Sequence, residues 1–226
     1  MSPACDTFEV VTASLDVDPD TVRASAALLT DQERRRASRF AFERDRRRFT
    51  VARAGLRKLL ALRLGSEPAS IELTYGANGK PTLGGACASA DLRFNVSHSE
   101  DLAVYAFVRG REIGIDVEAV RRLRDADGIA ARFFSRRENA AYIALEPRDR
   151  PQGFFNCWTR KEAFVKALGE GLSHPLDTFD VSLAPCEPAR ILRVEGTTVE
   201  NCGWTMHGLA PRPGFIAAVV TQNRPS

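Results

Sequence analysis

Two acidic side chains share one side of a short apolar segment, residues Ile113–Glu118. Its alternating β-branched residues predict a strand, on which residues two apart point the same way. Asp116 and Glu118 would then project together, about 6.5–7 Å apart along the chain, with Ile115 and Val117 on the opposite side. Neighbouring carboxylates repel each other unless a cation lies between them. The pattern indicates either half of a metal site or a strand end that enters solvent, where both carboxylates are hydrated.

A second pair of charged residues lies on a predicted helix that begins at Trp158. The segment contains good helix formers and no proline, and Gly169 follows where a helix normally ends. Glu162 and Lys166 are four residues apart and therefore neighbours on one helical face. Such a pair is most often an ordinary surface ion pair, worth about 0.3–0.5 kcal/mol. If this helix met the strand, Glu162 would make a third carboxylate, enough for a Mg²⁺ ion that keeps other positions for water and phosphate.

The other metal-binding residue types are sparse. The five cysteines are scattered and form no Cys-x-x-Cys pair, and there are only three histidines: Cys5, Cys87, Cys157, Cys186, Cys202, His98, His174 and His207. Neither a disulfide framework nor a zinc site is supported. Any bound metal would therefore be held by carboxylates, which favours Mg²⁺ or Mn²⁺.

The composition is that of an ordinary globular protein. The chain has 226 residues, of which 44% are hydrophobic and 27% charged, enough for one large domain or two small halves. No apolar run reaches the roughly 20 residues that span a bilayer, and the N-terminus lacks the layout of a signal peptide. A cytoplasmic location, with no membrane partner, is the expectation.

Arginines crowd the segment 34–48, although the net charge of the whole chain is only +3. The members are Arg34, Arg35, Arg36, Arg39, Arg44, Arg46, Arg47 and Arg48. The cluster indicates either contact with phosphate or an acidic protein, or a solvated helix face.

Helical and strand patterns are interleaved along the chain. Strands are predicted over residues 8–15, 71–74, 92–96, 102–108, 113–117, 179–183, 190–194, 204–209 and 215–220. Helices are predicted over 30–64 with a break near 42–45, and over 121–131, 136–145 and 158–168. Thr30 with Glu33, and Ser135 with Glu138, have the form of capping boxes. Residues 97–101 are expected to connect two strands, and the prolines at 147 and 151 to break the chain before the last helix. This mixture predicts an α+β fold.

Five short motifs, in this order, resemble those of the 4′-phosphopantetheinyl transferase family. They are Gly79-Lys80-Pro81, Phe94-Asn95-Val96-Ser97-His98-Ser99, Gly114–Glu118, Phe133-Phe134-Ser135 with Glu138, and Trp158-x-x-Lys161-Glu162-Ala163-x-x-Lys166-x-x-Gly169-x-Gly171-Leu172. The resemblance covers about residues 40 to 183. The chain length is similar to that of the longer, Sfp-type branch.

The resemblance implies a fold in which two similar α/β subdomains form a pseudo-dimer with the active site between them. The turn at Gly110 is the expected seam, with an N-terminal subdomain over 1–110 and a C-terminal subdomain over 111–226. A monomer is expected.

The resemblance also implies a reaction. A serine hydroxyl of an apo carrier protein would attack the β-phosphate of coenzyme A, the phosphopantetheine arm would move to that serine, and 3′,5′-ADP would leave. Phosphoryl transfer needs positioning and charge neutralisation more than covalent work by the protein. A sequence without a Gly-x-Ser-x-Gly nucleophile motif is compatible with this.

Roles for individual residues follow from the same resemblance. Asp116, Glu118 and Glu162 match metal-site positions that bind Mg²⁺, and Glu162 is also a candidate base, with Glu138 and a metal-bound water as rivals. Lys166 would offset charge on the phosphates. Arg48, Lys80, Ser97 and His98 match positions that contact coenzyme A, and the arginines at 34 to 39 are further candidates for its 3′-phosphate.

Two other functions remain open from the residues. The arginine cluster could serve a nucleic-acid-binding module, although it lacks the aromatic stacking pattern of single-strand binders. The carboxylates could serve a Mg²⁺-dependent phosphohydrolase, which would hydrolyse coenzyme A without a carrier protein. Because carrier proteins are acidic as a class, the sequence also predicts that Arg46 and Arg47 steer them at low salt.

Overall fold

The chain forms two halves that each contain a three-stranded antiparallel sheet and one long helix. The computed structural model describes residues 7–76, 78–169, 171 and 174–224. Leu172 of the last motif therefore lies outside the described residues. The elements are β1 (Glu9–Ser14), α1 (Pro19–Ala27), α2 (Asp31–Ala37), α3 (Glu43–Leu64), β2 (Leu73–Tyr75), β3 (Pro81–Leu83), β4 (Leu92–Ser99), β5 (Leu102–Arg109), β6 (Ile113–Ala119), α4 (Ala126–Phe133), α5 (Arg136–Ile143), α6 (Arg150–Leu168), β7 (Phe179–Val181), β8 (Ile191–Val194), β9 (Trp204–Leu209) and β10 (Phe215–Gln222).

The two halves repeat one topology. The first sheet has the order β1-β5-β4 and the second the order β6-β10-β9. In each half an edge strand is followed by a long helix, α3 or α6, then by a two-stranded hairpin, β2-β3 or β7-β8, and then by the remaining two strands. The predicted α+β fold, a pseudo-dimer of two similar subdomains, is confirmed.

Apolar side chains hold the halves together in layers. The two sheets bury side chains such as Val104, Ile115 and Val219 between them. Helix α3 covers the outer face of the first sheet with Leu56 and Leu60, and α6 covers the outer face of the second sheet. Each fully buried aliphatic side chain contributes about 1.5–3 kcal/mol. Among the described helices, none is long and apolar enough to cross a membrane.

Local capping signals set several helix ends. Both predicted capping boxes are present, Thr30 with Glu33 at α2 and Ser135 with Glu138 at α5. Gly169 ends α6 with a φ of 77°, in the left-handed region that glycine adopts without strain. These predictions succeeded because the bonds involved join residues close together in the sequence.

Helix α6 begins earlier than the sequence predicted. It starts at Arg150, eight residues before Trp158, and Pro151 lies in its first turn. The predicted break is present at residues 147–149 but ends before Pro151, because a proline in the first turn of a helix lacks only an N–H that has no partner within the helix. The extended helix is long enough to cross the whole second sheet.

Other elements also differ from their predicted bounds. Strand β4 continues to Ser99, so Ser97 and His98 lie on a strand and not in a connection. Helix α4 begins at residue 126 and not at 121. Helix α1 was not predicted, although Asp18 caps it and Pro19 occupies its first turn, both of which are ordinary start signals.

Gly114 lets α6 approach β6 closely. A Cβ at this position would collide with the Ala163 carbonyl oxygen and with the backbone of Ala167. The absence of a side chain therefore allows the helix to lie against the strand two residues before Asp116. This contact places the charged face of α6 beside the acidic pair.

Candidate active site

Lys166 joins helix α6 to the strand that carries the acidic pair. Its ammonium nitrogen lies 2.6 Å from Asp116 Oδ1 and 3.1 Å from Ser97 Oγ. The Ser97 hydroxyl donates to the same Asp116 oxygen at 2.8 Å. Asp116 is only 4% exposed. Residues from β4, β6 and α6 thus meet where the two sheets face each other.

Glu118 continues the acidic row toward solvent. Its Oε2 accepts a hydrogen bond from Ser99 Oγ at 2.7 Å and lies 3.5 Å from an Arg121 nitrogen. Burial raises the pKa of the Glu118 carboxyl, the Ser99 hydrogen bond lowers it, and the charge of Asp116 raises it again. The two strand carboxylates therefore interact electrostatically.

Glu162 faces the same cluster from the helix. Burial raises the pKa of its carboxyl, the Lys166 ammonium lowers it, and the charges of Asp116 and Glu118 raise it. The net shift is upward, so the charged form of Glu162 is disfavoured in the absence of a further cation. Three carboxylates and one ammonium thus share a partly buried site.

The donor set fits a divalent cation. Asp116 Oδ2 and Glu162 Oε1 are buried and have no hydrogen-bond partner. Leaving such an atom unsatisfied costs about 1–3 kcal/mol, and carboxylate oxygens are the ligands that Mg²⁺ prefers. Within the described residues, no group of three or more His, Cys, Asp or Glu side chains is already gathered tightly enough to hold a metal. The carboxylates suit Mg²⁺ chemically, whereas the Lys166 ammonium is the cation that contacts Asp116 in this structure.

His98 lies beside this cluster on β4. Part of its side chain is exposed to solvent, but neighbouring groups displace enough water around the ring to lower its pKa, and the Lys166 ammonium lowers the pKa further. The neutral imidazole is therefore favoured near pH 7. Such a ring offers one N–H donor to a ligand.

Arg48 and Lys80 both have partners within the chain. Arg48 pairs with Asp16 through two nitrogens, at 3.0 and 3.1 Å, and lies 3.4 Å from Glu100 Oε2. Those contacts raise the pKa of its guanidinium, the Asp16 hydrogen bond most of all. Lys80 donates to Glu112 Oε2 at 2.9 Å and to the carbonyl oxygens of Ile113 and Ala167. Any contact of either residue with a phosphate would need some of these bonds to be exchanged.

Comparison with known proteins identifies the family. The profile of the 4′-phosphopantetheinyl transferase superfamily matches residues 112–219, and the profile described as 4′-phosphopantetheinyl transferase, N-terminal, matches residues 17–109. The 4′-phosphopantetheinyl transferase HetI of Nostoc sp. (strain PCC 7120) is 38% identical over 91% of this chain and 83% of its own length. The chain belongs to the 4′-phosphopantetheinyl transferase family. A Bacillus subtilis 4′-phosphopantetheinyl transferase is 35% identical and the Sfp enzyme of B. subtilis strain 168 is 30% identical, each over 70% of this chain and 67% of its own length.

As a phosphopantetheinyl transferase, the protein is an enzyme of a family that acts on carrier proteins with coenzyme A as the donor. The cluster of Asp116, Glu118, Glu162 and Lys166 lies between the two halves of its fold. Ser97 contacts the cluster, and His98, the next residue on β4, is within electrostatic range of Lys166 and Asp116. Arg48 lies farther along the same edge, near Glu100, and Lys80 lies at the C-terminal end of α6.

Glu138, a rival candidate for the base, is buried away from solvent. Its Oε2 accepts from the Ser135 N–H at 2.8 Å and lies 2.8 Å from the ammonium of Lys161, which is itself fully buried. Its Oε1 accepts from the Val181 N–H at 2.7 Å. Both oxygens of Glu138 are thus engaged in joining α5, α6 and β7, which favours a structural role.

Three polar residues received no role of their own from the sequence. Asn95 and Ser99 flank Ser97 at two-residue spacing on β4, which was the available signal. Arg53 lies between the rings of Phe49 and Tyr75, with its side chain 10% exposed and its Nη1 buried without a hydrogen-bond partner. It lies one helical turn after the buried Phe49 and belongs to none of the motifs, so no sequence signal pointed to it.

Proposed function

We propose that this transferase moves the 4′-phosphopantetheine arm of coenzyme A to a serine of an apo acyl or peptidyl carrier protein, with Mg²⁺, or alternatively Mn²⁺, as its cofactor. The serine oxygen forms a bond to the β-phosphorus, the bond from that phosphorus to the bridging pyrophosphate oxygen breaks, and 3′,5′-ADP leaves. The serine proton passes to a carboxylate. The observation that carries the proposal is that Asp116, Glu118 and Glu162 interact electrostatically beside Lys166 in a member of this family.

Each charged residue in the cluster has a role in the proposal. Asp116, Glu118 and Glu162 would hold the magnesium ion, which supplies positive charge to the pyrophosphate when it is bound. Glu162 would accept the serine proton, which requires its carboxylate to lie within hydrogen-bond reach of the incoming hydroxyl. Lys166 would neutralise charge that develops on the phosphate oxygens. Ser97 and His98 would orient the coenzyme A phosphates by hydrogen bonding, and Arg48 and Lys80 would contact the nucleotide.

An arginine-lined cavity supports a location for the 3′-phosphate of coenzyme A. The cavity has a volume of about 420 Å³ and is lined by Arg35, Arg36, Arg39 and Tyr75. Arg53 does not line the cavity itself but adjoins two residues that do, Tyr75 through its ring and Glu33 at 3.7 Å, and it has a buried nitrogen without a hydrogen-bond partner. A phosphate oxygen would satisfy that nitrogen with a charge-assisted bond.

Arg53→Gln tests this location. We expect the preference for coenzyme A over 3′-dephospho-coenzyme A, measured as the ratio of kcat/KM values, to fall by about tenfold, which corresponds to roughly 1.4 kcal/mol. The KM for 3′-dephospho-coenzyme A should stay near the wild-type value, since that donor lacks the phosphate. Equal losses with both donors would argue against a 3′-phosphate contact.

A second basic surface adjoins the carboxylates and would receive the carrier protein. A groove of about 460 Å³ is lined by five arginines and two aspartates: Arg121, Arg122, Arg124, Arg148, Arg150, Asp125 and Asp127. Arg121 also contacts Glu118, so the groove opens beside the site. By contrast, Arg46 pairs with Glu43 on its own helix and Arg47 donates to the Val17 carbonyl. We therefore place the docking surface at the groove in preference to Arg46 and Arg47.

Paired charge reversals separate the two surfaces. The double variant Arg122→Glu and Arg124→Glu should raise the KM for an acidic carrier protein about tenfold or more at low salt, with a smaller effect at high salt. The KM for coenzyme A should not change. The matched variant Arg46→Glu and Arg47→Glu makes the same change in charge and should have the smaller effect. If the Arg46→Glu and Arg47→Glu variant instead raised the KM for the carrier protein more, the docking surface would lie at Arg46 and Arg47 on α3.

The subdomain boundary, the oligomeric state and the cellular location are features of the whole chain. We propose subdomains 1–110 and 111–226, a boundary supported by Gly110, which turns the chain between the two sheets with a φ of 72°. We also propose that the protein works as a monomer in the cytoplasm. The free thiols of Cys87, Cys157, Cys186 and Cys202 are compatible with that reducing compartment.

The deciding experiment is the intact mass of an apo carrier protein incubated with this protein, coenzyme A and Mg²⁺, with and without chelator. A gain of one phosphopantetheine group that the chelator abolishes is the expected result. Free 3′,5′-ADP should appear in equal amount. Breakdown of coenzyme A without a carrier would instead support a phosphohydrolase, and the absence of any mass gain with several unrelated carriers, together with no binding of coenzyme A, would refute the proposal.

A further inference from the structure

Side chains of β4 join the two sheets at the edge that carries the carboxylates. Strands β4 and β6 belong to different sheets, and every second residue of β4 reaches across to β6. The Asn95 Oδ1 accepts the Ile115 N–H at 3.0 Å, Ser97 donates to Asp116, and Ser99 donates to Glu118. The two-residue spacing of the serines matches that of the two carboxylates.

The Ser99 hydroxyl both donates and accepts a hydrogen bond between β4 and β6. Its Oγ donates to Glu118 Oε2 at 2.7 Å and accepts the Ala119 N–H at 3.2 Å. The residue is 8% exposed. One hydroxyl therefore fixes both the Glu118 carboxylate and the backbone that immediately follows it.

Glu118 has a competing partner on its solvent side. The Arg121 side chain is 47% exposed and lies 3.5 Å from the same carboxylate oxygen that Ser99 contacts. Without the Ser99 hydroxyl, the carboxylate would be drawn toward Arg121 and away from Asp116 and Glu162. Asp116 is less dependent on its serine, because Lys166 also donates to it.

We propose that Ser99 is a positioning residue that holds the Glu118 carboxylate toward Asp116 and Glu162. The proposal rests on the proposed metal role of these carboxylates. Residues that hold metal ligands by hydrogen bonds typically affect metal affinity by 10–100-fold when they are replaced.

Ser99→Ala should weaken the binding of Mn²⁺ to the substrate-free protein by about 10–100-fold, as measured by direct titration with electron paramagnetic resonance. Ser99→Thr keeps the hydroxyl and should restore most of the affinity. The matched control is Ser182→Ala, because the buried Ser182 hydroxyl likewise accepts a backbone N–H, from Arg190, and donates to an oxygen, that of Pro188. The control should lower the melting temperature and leave the Mn²⁺ affinity unchanged.

A double-mutant cycle on the transfer reaction completes the test. If Ser99 acts through Glu118, the losses in kcat/KM caused by Ser99→Ala and Glu118→Gln should be strongly non-additive. Unchanged Mn²⁺ affinity in Ser99→Ala, or additive losses, would overturn the proposal. If the wild-type protein transferred phosphopantetheine but did not bind Mn²⁺, the proposed metal role of the carboxylates would be wrong, while the transfer activity would stand. The double-mutant cycle of Ser99 and Glu118 would then show whether Ser99 acts through Glu118. If Ser99→Ala does not fold, Ser99→Cys, a weaker donor of similar shape, takes its place in both measurements.

Discussion

Replacing Asp116 with alanine is expected to lower the rate of transfer to a carrier protein by about 10³-fold or more, with a small change in the free energy of unfolding. Loss of one preorganised electrostatic group alone typically costs 10²–10³ in kcat. Asp116 is also the carboxylate that touches both Ser97 and Lys166, so its removal disturbs the whole cluster.

The stability of this variant follows from opposing effects. Removing Asp116 leaves Lys166 without its closest partner, which is unfavourable. It also removes a charge that disfavours ionisation of both Glu118 and Glu162, and a buried oxygen without a hydrogen bond. We expect these terms to cancel to within about 1 kcal/mol, which is small among the effects of single substitutions.

Single-turnover transfer and urea unfolding, measured on the same preparation, test both parts of this prediction. Asp180→Ala is the matched control, because Asp180 is also buried and bound by a cation, Arg193, but lies outside the cluster. The control should lose stability and keep its transfer rate to within a few-fold. If Asp116→Ala were fully active at millimolar Mg²⁺, Asp116 would have no role in the active site.

The parts of the fold that depend on nearby residues were predictable from the sequence. The capping boxes of α2 and α5 and the glycine end of α6 each involve residues within a few positions. The acidic pair was also readable, because the alternation of a strand fixes which side chains share a face. The start of α6 at Arg150 was not predicted, because a proline such as Pro151 occurs at helix starts as well as at breaks.

The parts that depend on contacts between the halves were not predictable. Ser97 and Asp116 are far apart in the sequence and meet only because two sheets pack together. No local sequence pattern predicts that Lys80 donates to Glu112 or that Arg48 donates to Asp16. The partner of a charged side chain is a property of the tertiary structure, so the motifs indicated which residues matter but not what they contact.

Lys166 is the residue whose replacement should have the second large effect on transfer. Its ammonium lies 2.6 Å from Asp116 Oδ1 and offsets part of the rise in the pKa of Glu162, so it compensates part of the negative charge of the cluster, as Arg121 does at Glu118. A bound divalent ion would compete with it for the same carboxylate. Lys166 would then be released toward the phosphates, where its charge is needed in the transition state.

Lys166→Ala should therefore lower kcat by about 10²–10³-fold and weaken coenzyme A binding by a much smaller factor. The same variant should bind Mn²⁺ more tightly than the wild type, because the ion no longer competes with an ammonium for Asp116. Rapid-quench transfer, calorimetric titration of coenzyme A and direct titration of Mn²⁺ measure the three quantities separately. Equal losses in kcat and in coenzyme A affinity would make Lys166 a binding residue, and weaker Mn²⁺ binding would show that it supports the carboxylates and does not compete for them. A slower enzyme that binds the metal more tightly is the combination expected of a lysine that opposes the cation at Asp116 and acts in catalysis.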